Sequence, residues 1–254
     1  MIFTIFSGLY HNFMHANHSA MNLRLSYLLC SLCLISTCLP CHAQISAQKK
    51  MFNSSGNADF RSNELYNKPI DFENIDYARM NVVIFHLTNE IRAKHHLPVL
   101  EYAVQLENSA TMHAQDMLRD KFFSHTNPYH KNRKTPNDRA LLCNIANPML
   151  AENIIEGYGL QYKAFETVYL RGKGKFSNTP EGDLLHPHTY LSFGESLLTG
   201  WMNSRDHRKN ILSAEAVQLG CGVAYYTDPD FNDMPSFKAV QNFQWYKPII
   251  TTKQ

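Results

Sequence analysis

The feature that most constrains this chain is a change of hydrophobic period partway along it. From Asn74 the apolar residues Met80, Val83, Ile84, Leu87 and Ile91 recur at helical spacing up to Lys94, a period that fits one buried helix face. Leu97-Pro98 ends that helix. A second helix is predicted from about Ala103 to Asp120, with Leu106, Ala110, His113, Ala114 and Met117 on one face. Asn137-Asp138 can start a short helix through Leu142, and a third long helix runs from about Tyr190 to Asn203. The last third switches to a period of two. Leu219, Cys221, Val223 and Tyr225 alternate in one run, and Phe237, Ala239, Gln241, Phe243 and Trp245 in the next, with Thr227–Ser236 as the connecting hairpin loop. Helices first and an antiparallel pair last predict an α+β domain.

The ends of the chain read differently. Asn22-Leu-Arg24 is a short basic stretch, and Leu25 to Leu39 is apolar but stopped by Pro40. That is too short for a membrane span and fits an export signal. Cys41-His-Ala43 places small residues for cleavage before Gln44, so residues 1–43 are expected to leave. Residues 1–20 precede a second start at Met21 and read as a mis-assigned upstream start. A lipid anchor at Cys38 is the alternative processing. The expected location is periplasmic or secreted. Residues 44–73 are rich in Ser, Asn, Gln and Lys and read as a polar arm or linker. The domain is expected over 74–248, with an insertion at about 157–188 punctuated by Gly and Pro.

Charge narrows the partners. Beyond residue 43 the chain keeps 23 basic and 22 acidic side chains. That near balance predicts no nucleic-acid partner. Four of the six cysteines lie in the leader; Cys143 and Cys221 remain. In an oxidising compartment they are a candidate disulfide, whose loop of nearly 80 residues would be worth about 4 kcal/mol. The alternative is one buried thiol and one in a loop.

His125, Glu152 and His207 sit at loop or helix ends far apart in sequence, each able to reach a common cleft. Two imidazoles and a carboxylate there can hold a divalent metal, zinc being the candidate, with an open position for metal-assisted hydrolysis. The same three can instead form a hydrogen-bonded polar cluster. Ser204 reads as a helix N-cap with Asp206 in the first turn, Asn153 as a support for backbone turns, and His113 as a core histidine.

The ordered series Leu87-Thr-Asn89-Glu-Ile-Arg92, Phe123-Ser124-His125, Ala151-Glu152-Asn153-Ile154, Trp201-Met-Asn-Ser204, His207-Arg-Lys-Asn-Ile-Leu212, Leu219-Gly-Cys-Gly-Val-Ala224 and Gln241-Asn-Phe243 resembles the CAP superfamily: the cysteine-rich secretory proteins, antigen 5 and pathogenesis-related proteins, with their SCP-like domain, in the bacterial branch. The resemblance implies a three-layer α-β-α sandwich around a central antiparallel sheet, with a cleft lined by two His and, in many members, two Glu. His125, Glu152 and His207 match three of those positions. The fourth is Ser204, three residues after Trp201, where eukaryotic members carry Glu. Glu195 lies nine residues earlier, on the opposite side of a helix.

The incomplete acid set favours a non-enzymatic, monomeric module. It would bind an apolar, cell-envelope or protein ligand through a cleft lined by His125, Glu152, His207, Ser204 and Asn153. The alternatives are a metal-dependent hydrolase using His125, Glu152 and His207, and an envelope scaffold protein.

Overall fold

The computed structural model describes residues 60–162 and 166–252. The predicted leader, its cleavage site and Cys38 lie outside the described residues.

Helix α1 (Tyr77–Lys94) starts at Asp76, whose side chain accepts from the Arg79 backbone N–H at 2.9 Å. Strand β1 (Glu101–Tyr102) leads into α2 (Val104–Arg119). The short α3 (Pro136–Leu142) is opened by a Thr135–Asp138 capping box with Pro136 in its first turn. Then come β2 (Leu150–Tyr158), the hairpin β3 (Tyr169–Gly172) and β4 (Lys175–Ser177), α4 (Tyr190–Asn203), α5 (Arg205–Ile211), β5 (Ala216–Asp228) and β6 (Met234–Trp245). The main sheet has the order β1-β5-β6-β2. All its pairs are antiparallel except the two-residue β1–β5 pairing.

Alternation along β5 and β6 builds the three layers. Leu219, Cys221, Val223, Phe237, Ala239 and Phe243 join the large core with α1 and α4. Gly220 and Gly222 face α2. A Cβ on Gly220 would lie 2.1 Å from the Glu107 nitrogen, and one on Gly222 2.2 Å from that of Thr111. Only glycine lets α2 seat this closely on the strand.

The structure departs from two expectations, the arm and the disulfide, and gives the expected insertion a form. The arm read as extending to residue 73 is packed from Phe60 onward, because Phe60, Tyr66 and Ile70 are buried in the α1–α4 core. The stretch beginning at Gly157 holds the last two residues of β2. It then folds back as the β3–β4 hairpin over its own cluster, where Leu160, Phe176 and Met234 are buried. Cys143 and Cys221 are both free thiols. Cys221 is buried among the α1–α4 core residues. Cys143 caps α3, which packs on α2 across the sheet.

Candidate functional site

The site forms at the outer strand β2, whose successive residues Glu152 and Asn153 face opposite sides of the sheet. On the α2 side, the chain leaves that helix through a Schellman turn. Lys121 takes the left-handed conformation (φ 53°), Phe122 N–H donates to Met117 O, and Lys121 N–H donates to Leu118 O. This turn carries Ser124 and His125 back over α2. Buried Asp116 then fixes the loop. It accepts from Asn127 Nδ2 at 3.0 Å, Arg133 Nη1 at 2.8 Å and Arg119 Nη2 at 2.6 Å.

The capping box of α3 directs Arg139 inward. Its guanidinium, fully buried, donates to Glu152 Oε2 at 2.7 Å. It also reaches the backbone carbonyls of His125, Arg133 and Lys134 at 3.1–3.3 Å. The other carboxylate oxygen, Glu152 Oε1, accepts from His125 Nδ1 at 3.0 Å. Asn242, in the amide orientation that satisfies its neighbours, adds a donor to Oε2 at 3.0 Å while accepting from Ala110 N and Ser109 Oγ. His113 Nε2 donates to Ser124 O at 2.9 Å and lies 3.7 Å from Glu152 Oε1.

On the other side, Asn153 is fully buried in a neutral network. Its Nδ2 donates to Gln241 Oε1 at 3.1 Å and to the His207 carbonyl at 3.2 Å; its Oδ1 accepts from Asn210 Nδ2 at 2.9 Å. Gln241 Nε2 donates to Thr88 Oγ1 on α1 at 2.8 Å. Arg92, also buried, holds the far end of α5 through the carbonyls of Ile211 (2.8 Å) and Ser213 (2.7 Å). His207 is therefore placed by its helix, and its helix by amides.

Electrostatics follow from these partners. Burial pushes the Glu152 carboxyl up, but the His125 hydrogen bond, the Arg139 charge and His113 outweigh it and hold the group below the usual carboxylate range. Burial lowers the His113 pKa to about 4. Partial burial, reinforced by the nearby His125, lowers that of His207. With Glu152 anionic, His125 presents Nδ1–H to the carboxylate, on a side chain half exposed.

The structure thus joins His125 to Glu152 directly, with His207 beside them and Asn153 beneath its helix. Ser204 occupies the junction of α4 and α5, at the predicted N-cap position with Asp206 in the first turn, but its side chain makes no capping bond. Glu195 is remote, ion-paired to Arg61 on the outer surface. Arg139 is the residue that sequence reasoning missed. A seven-residue helix has too few turns to show a period, and the only hint was an arginine just inside a capping box. His113 was read as core, and it is, but it is also a neighbour of Glu152.

The residues do not fit a zinc centre. Zinc needs three or four donors. Here the Glu152 oxygens are already bonded to a cation and an imidazole. Among the described residues no set of three His, Cys, Asp or Glu side chains is arranged to hold a metal in common.

Comparison with known proteins gives the chain its family. The chain is 28% identical over 146 residues to the uncharacterized membrane protein YlbC of Bacillus subtilis (strain 168), covering 57% of this chain and 32% of that one. It is 27% identical over 139 residues to the uncharacterized protein YkwD of the same organism, covering 55% and 40%. The chain thus spans about a third to two fifths of the length of these relatives. Among solved structures, an extracellular protein containing a SCP domain from Bacillus anthracis str. Ames is 26% identical. The match covers 70% of this chain and 45% of that one, with a TM-score of 0.46. A cysteine-rich secretory protein from Staphylococcus aureus subsp. aureus Mu50 is 15% identical, covering 66% and 39%, with a TM-score of 0.41. Among the described residues no helix is long and apolar enough to cross a membrane. The profile of the cysteine-rich secretory protein (CAP) family matches residues 85–243, more than half of the chain, and the chain belongs to that family.

Proposed function

We propose that this chain is an exported, non-enzymatic binding module that holds a polar group of a cell-envelope or protein ligand between His125 and His207. One observation carries the reading: both oxygens of Glu152 are committed, one to buried Arg139 and one to His125. A hydrolase would need that carboxylate as metal ligand or general base. Saturated by a guanidinium and an imidazole, it is weak in either role. What it does well is orient. It fixes the His125 ring through Nδ1, and His207, its pKa lowered by burial and by the nearby His125, supplies a second imidazole. Two imidazoles, one with its ring held by Glu152 and the other placed by its helix, suit hydrogen-bond recognition of a ligand head.

The test uses the full chain. Retention on purified peptidoglycan sacculi or on a cross-linked envelope protein partner is expected to fall about tenfold in His125→Ala/His207→Ala, with no turnover of chromogenic esters or peptides by either form. Turnover that vanishes with His207→Ala rejects the reading. So does zinc binding with proton release by the wild type that is lost in the double variant.

A further inference from the structure

The far end of α5 borders a second hollow, separate from Glu152 and its partners. A cavity of about 570 Å³ lies between α5 and the end of β6, a volume within the range of small-molecule sites. Its wall carries three cations from one short helix, Arg205, Arg208 and Lys209, against a single acid, Glu215. The whole chain holds 24 basic and 22 acidic side chains, so this local excess is not a reflection of composition. The cations differ in freedom. Arg208 is positioned by donating Nη1 to the Met202 carbonyl at 2.5 Å, which leaves its other N–H groups for a guest. Arg205 is 86% exposed and only loosely paired with Asp206. Glu215 is engaged by the Ser213 hydroxyl at 2.7 Å.

The opposite wall is aromatic. Trp245 and Tyr246 meet edge to face with centroids 6.0 Å apart. Tyr246 is 59% exposed, and its backbone is left-handed at φ 65°. A bulky aromatic residue rarely adopts that conformation, and it costs on the order of 1 kcal/mol or more. It is held by the Tyr246 N–H to Glu215 O bond of 2.7 Å, flanked by the Trp245 N–H to Met149 O bond of 3.0 Å. The fold thus constrains the backbone that carries an exposed ring at the cavity rather than a buried one.

We propose that this cavity binds an acidic sugar, a pyranose ring bearing a carboxylate, in an extended anionic glycan. The guanidinium groups match a carboxylate in planar, bidentate fashion. The Tyr246 and Trp245 rings offer apolar faces against which the C–H face of a sugar packs. A free anion would use only the first wall, a neutral sugar only the second. The concave shape suits a ring in a chain better than the flat surface of a bilayer.

Fluorescence reads the site in the full chain. Of its two tryptophans, Trp201 is fully buried in the core, so a ligand-dependent change reports Trp245. An oligomer of galacturonic acid at low ionic strength is expected to give a saturable change. Arg205→Glu/Lys209→Glu, both positions exposed, is expected to weaken it at least about tenfold. Tyr246→Asn removes the ring while keeping a residue that tolerates positive φ, and is expected to weaken it by a similar factor with all cations present. His125→Ala/His207→Ala is expected to leave it unchanged, which separates this site from the cleft. No response to the uronate overturns the proposal. So does an equal response to cellohexaose, inorganic phosphate, poly-glutamate or phosphatidylglycerol vesicles, or indifference to Tyr246→Asn.

Discussion

Glu152 and Asn153 are neighbours on one strand, yet the two sides of the sheet they enter are built on different physics. The Glu152 side is ionic. A buried carboxylate, a buried guanidinium and two imidazoles interlock there, and the interaction ends by fixing a side chain, the His125 ring. The Asn153 side is neutral. Amides of Asn153, Gln241 and Asn210 chain together and end by fixing a backbone, the His207 carbonyl. A charged cluster gives orientation at the risk of a stranded charge; an amide network gives placement with less at stake. Strand β2 of this chain carries one of each.

The largest expected effect breaks the ionic side. Arg139→Met leaves the Glu152 carboxylate buried without its cation, and the loss of unfolding free energy in urea is expected at about 3–5 kcal/mol. Adding Glu152→Gln should restore much of that loss, because the stranded charge is gone. No such recovery should follow on the neutral side. There, Asn153→Ala is expected to cost about 1–3 kcal/mol through unmet partners at Gln241 and Asn210. Equal costs for the two single variants, and no recovery in the double, would erase the distinction.

Acid separates the two sides further. The His113 ring takes a proton only near pH 4 in the folded chain, against about 6.5 when unfolded. Its folded value is lowered, so the unfolded state binds the proton first as pH falls. Stability is then expected to decline from about pH 6.5 to about pH 4, by roughly 2–3 kcal/mol. His207, lowered in the same direction, adds to the early part of that loss. The depressed Glu152 carboxyl extends it below the ordinary carboxylate range. His113→Gln, which keeps a donor for Ser124 O, should flatten the middle of the profile in urea melts at stepped pH. A slope unchanged by His113→Gln would place the acid sensitivity elsewhere.

The smallest effect is expected at the helix junction. Ser204 makes no side-chain capping bond, so Ser204→Ala should cost less than about 0.5 kcal/mol. A loss of 1 kcal/mol or more would mean that the hydroxyl has a partner in solution.

Much of the fold was legible because its long elements each bury one face. The helix expected from Tyr190 to Asn203 is α4 as observed, and α2 runs between the expected ends Ala103 and Asp120, which serve as its caps. The strands β5 and β6 were found, though the turn between them is tighter than the expected Thr227–Ser236 loop. Strand β2 was not found. Leu150–Tyr158 is an outer strand with buried polar residues on both faces, Glu152 on one and Asn153 on the other, and that erases the period of two. The same polarity lets it carry the ionic cluster on one side and the amide network on the other. Phe60, Tyr66 and Ile70 escaped notice because they are anchors spaced along an irregular segment of otherwise polar residues. The ordered motifs singled out His125, Glu152 and His207, but not what Glu152 is bonded to. Arg139 becomes visible only when α3 is folded against β2.

The most direct test of the central claim is the tautomer of His125, read from long-range proton–nitrogen NMR spectra of the full chain at about pH 8. If Glu152 is an anion locked to Arg139 and serving to orient the ring, Nδ1 carries the proton and Nε2 is bare. A proton on Nε2, with Nδ1 bare, would contradict the account.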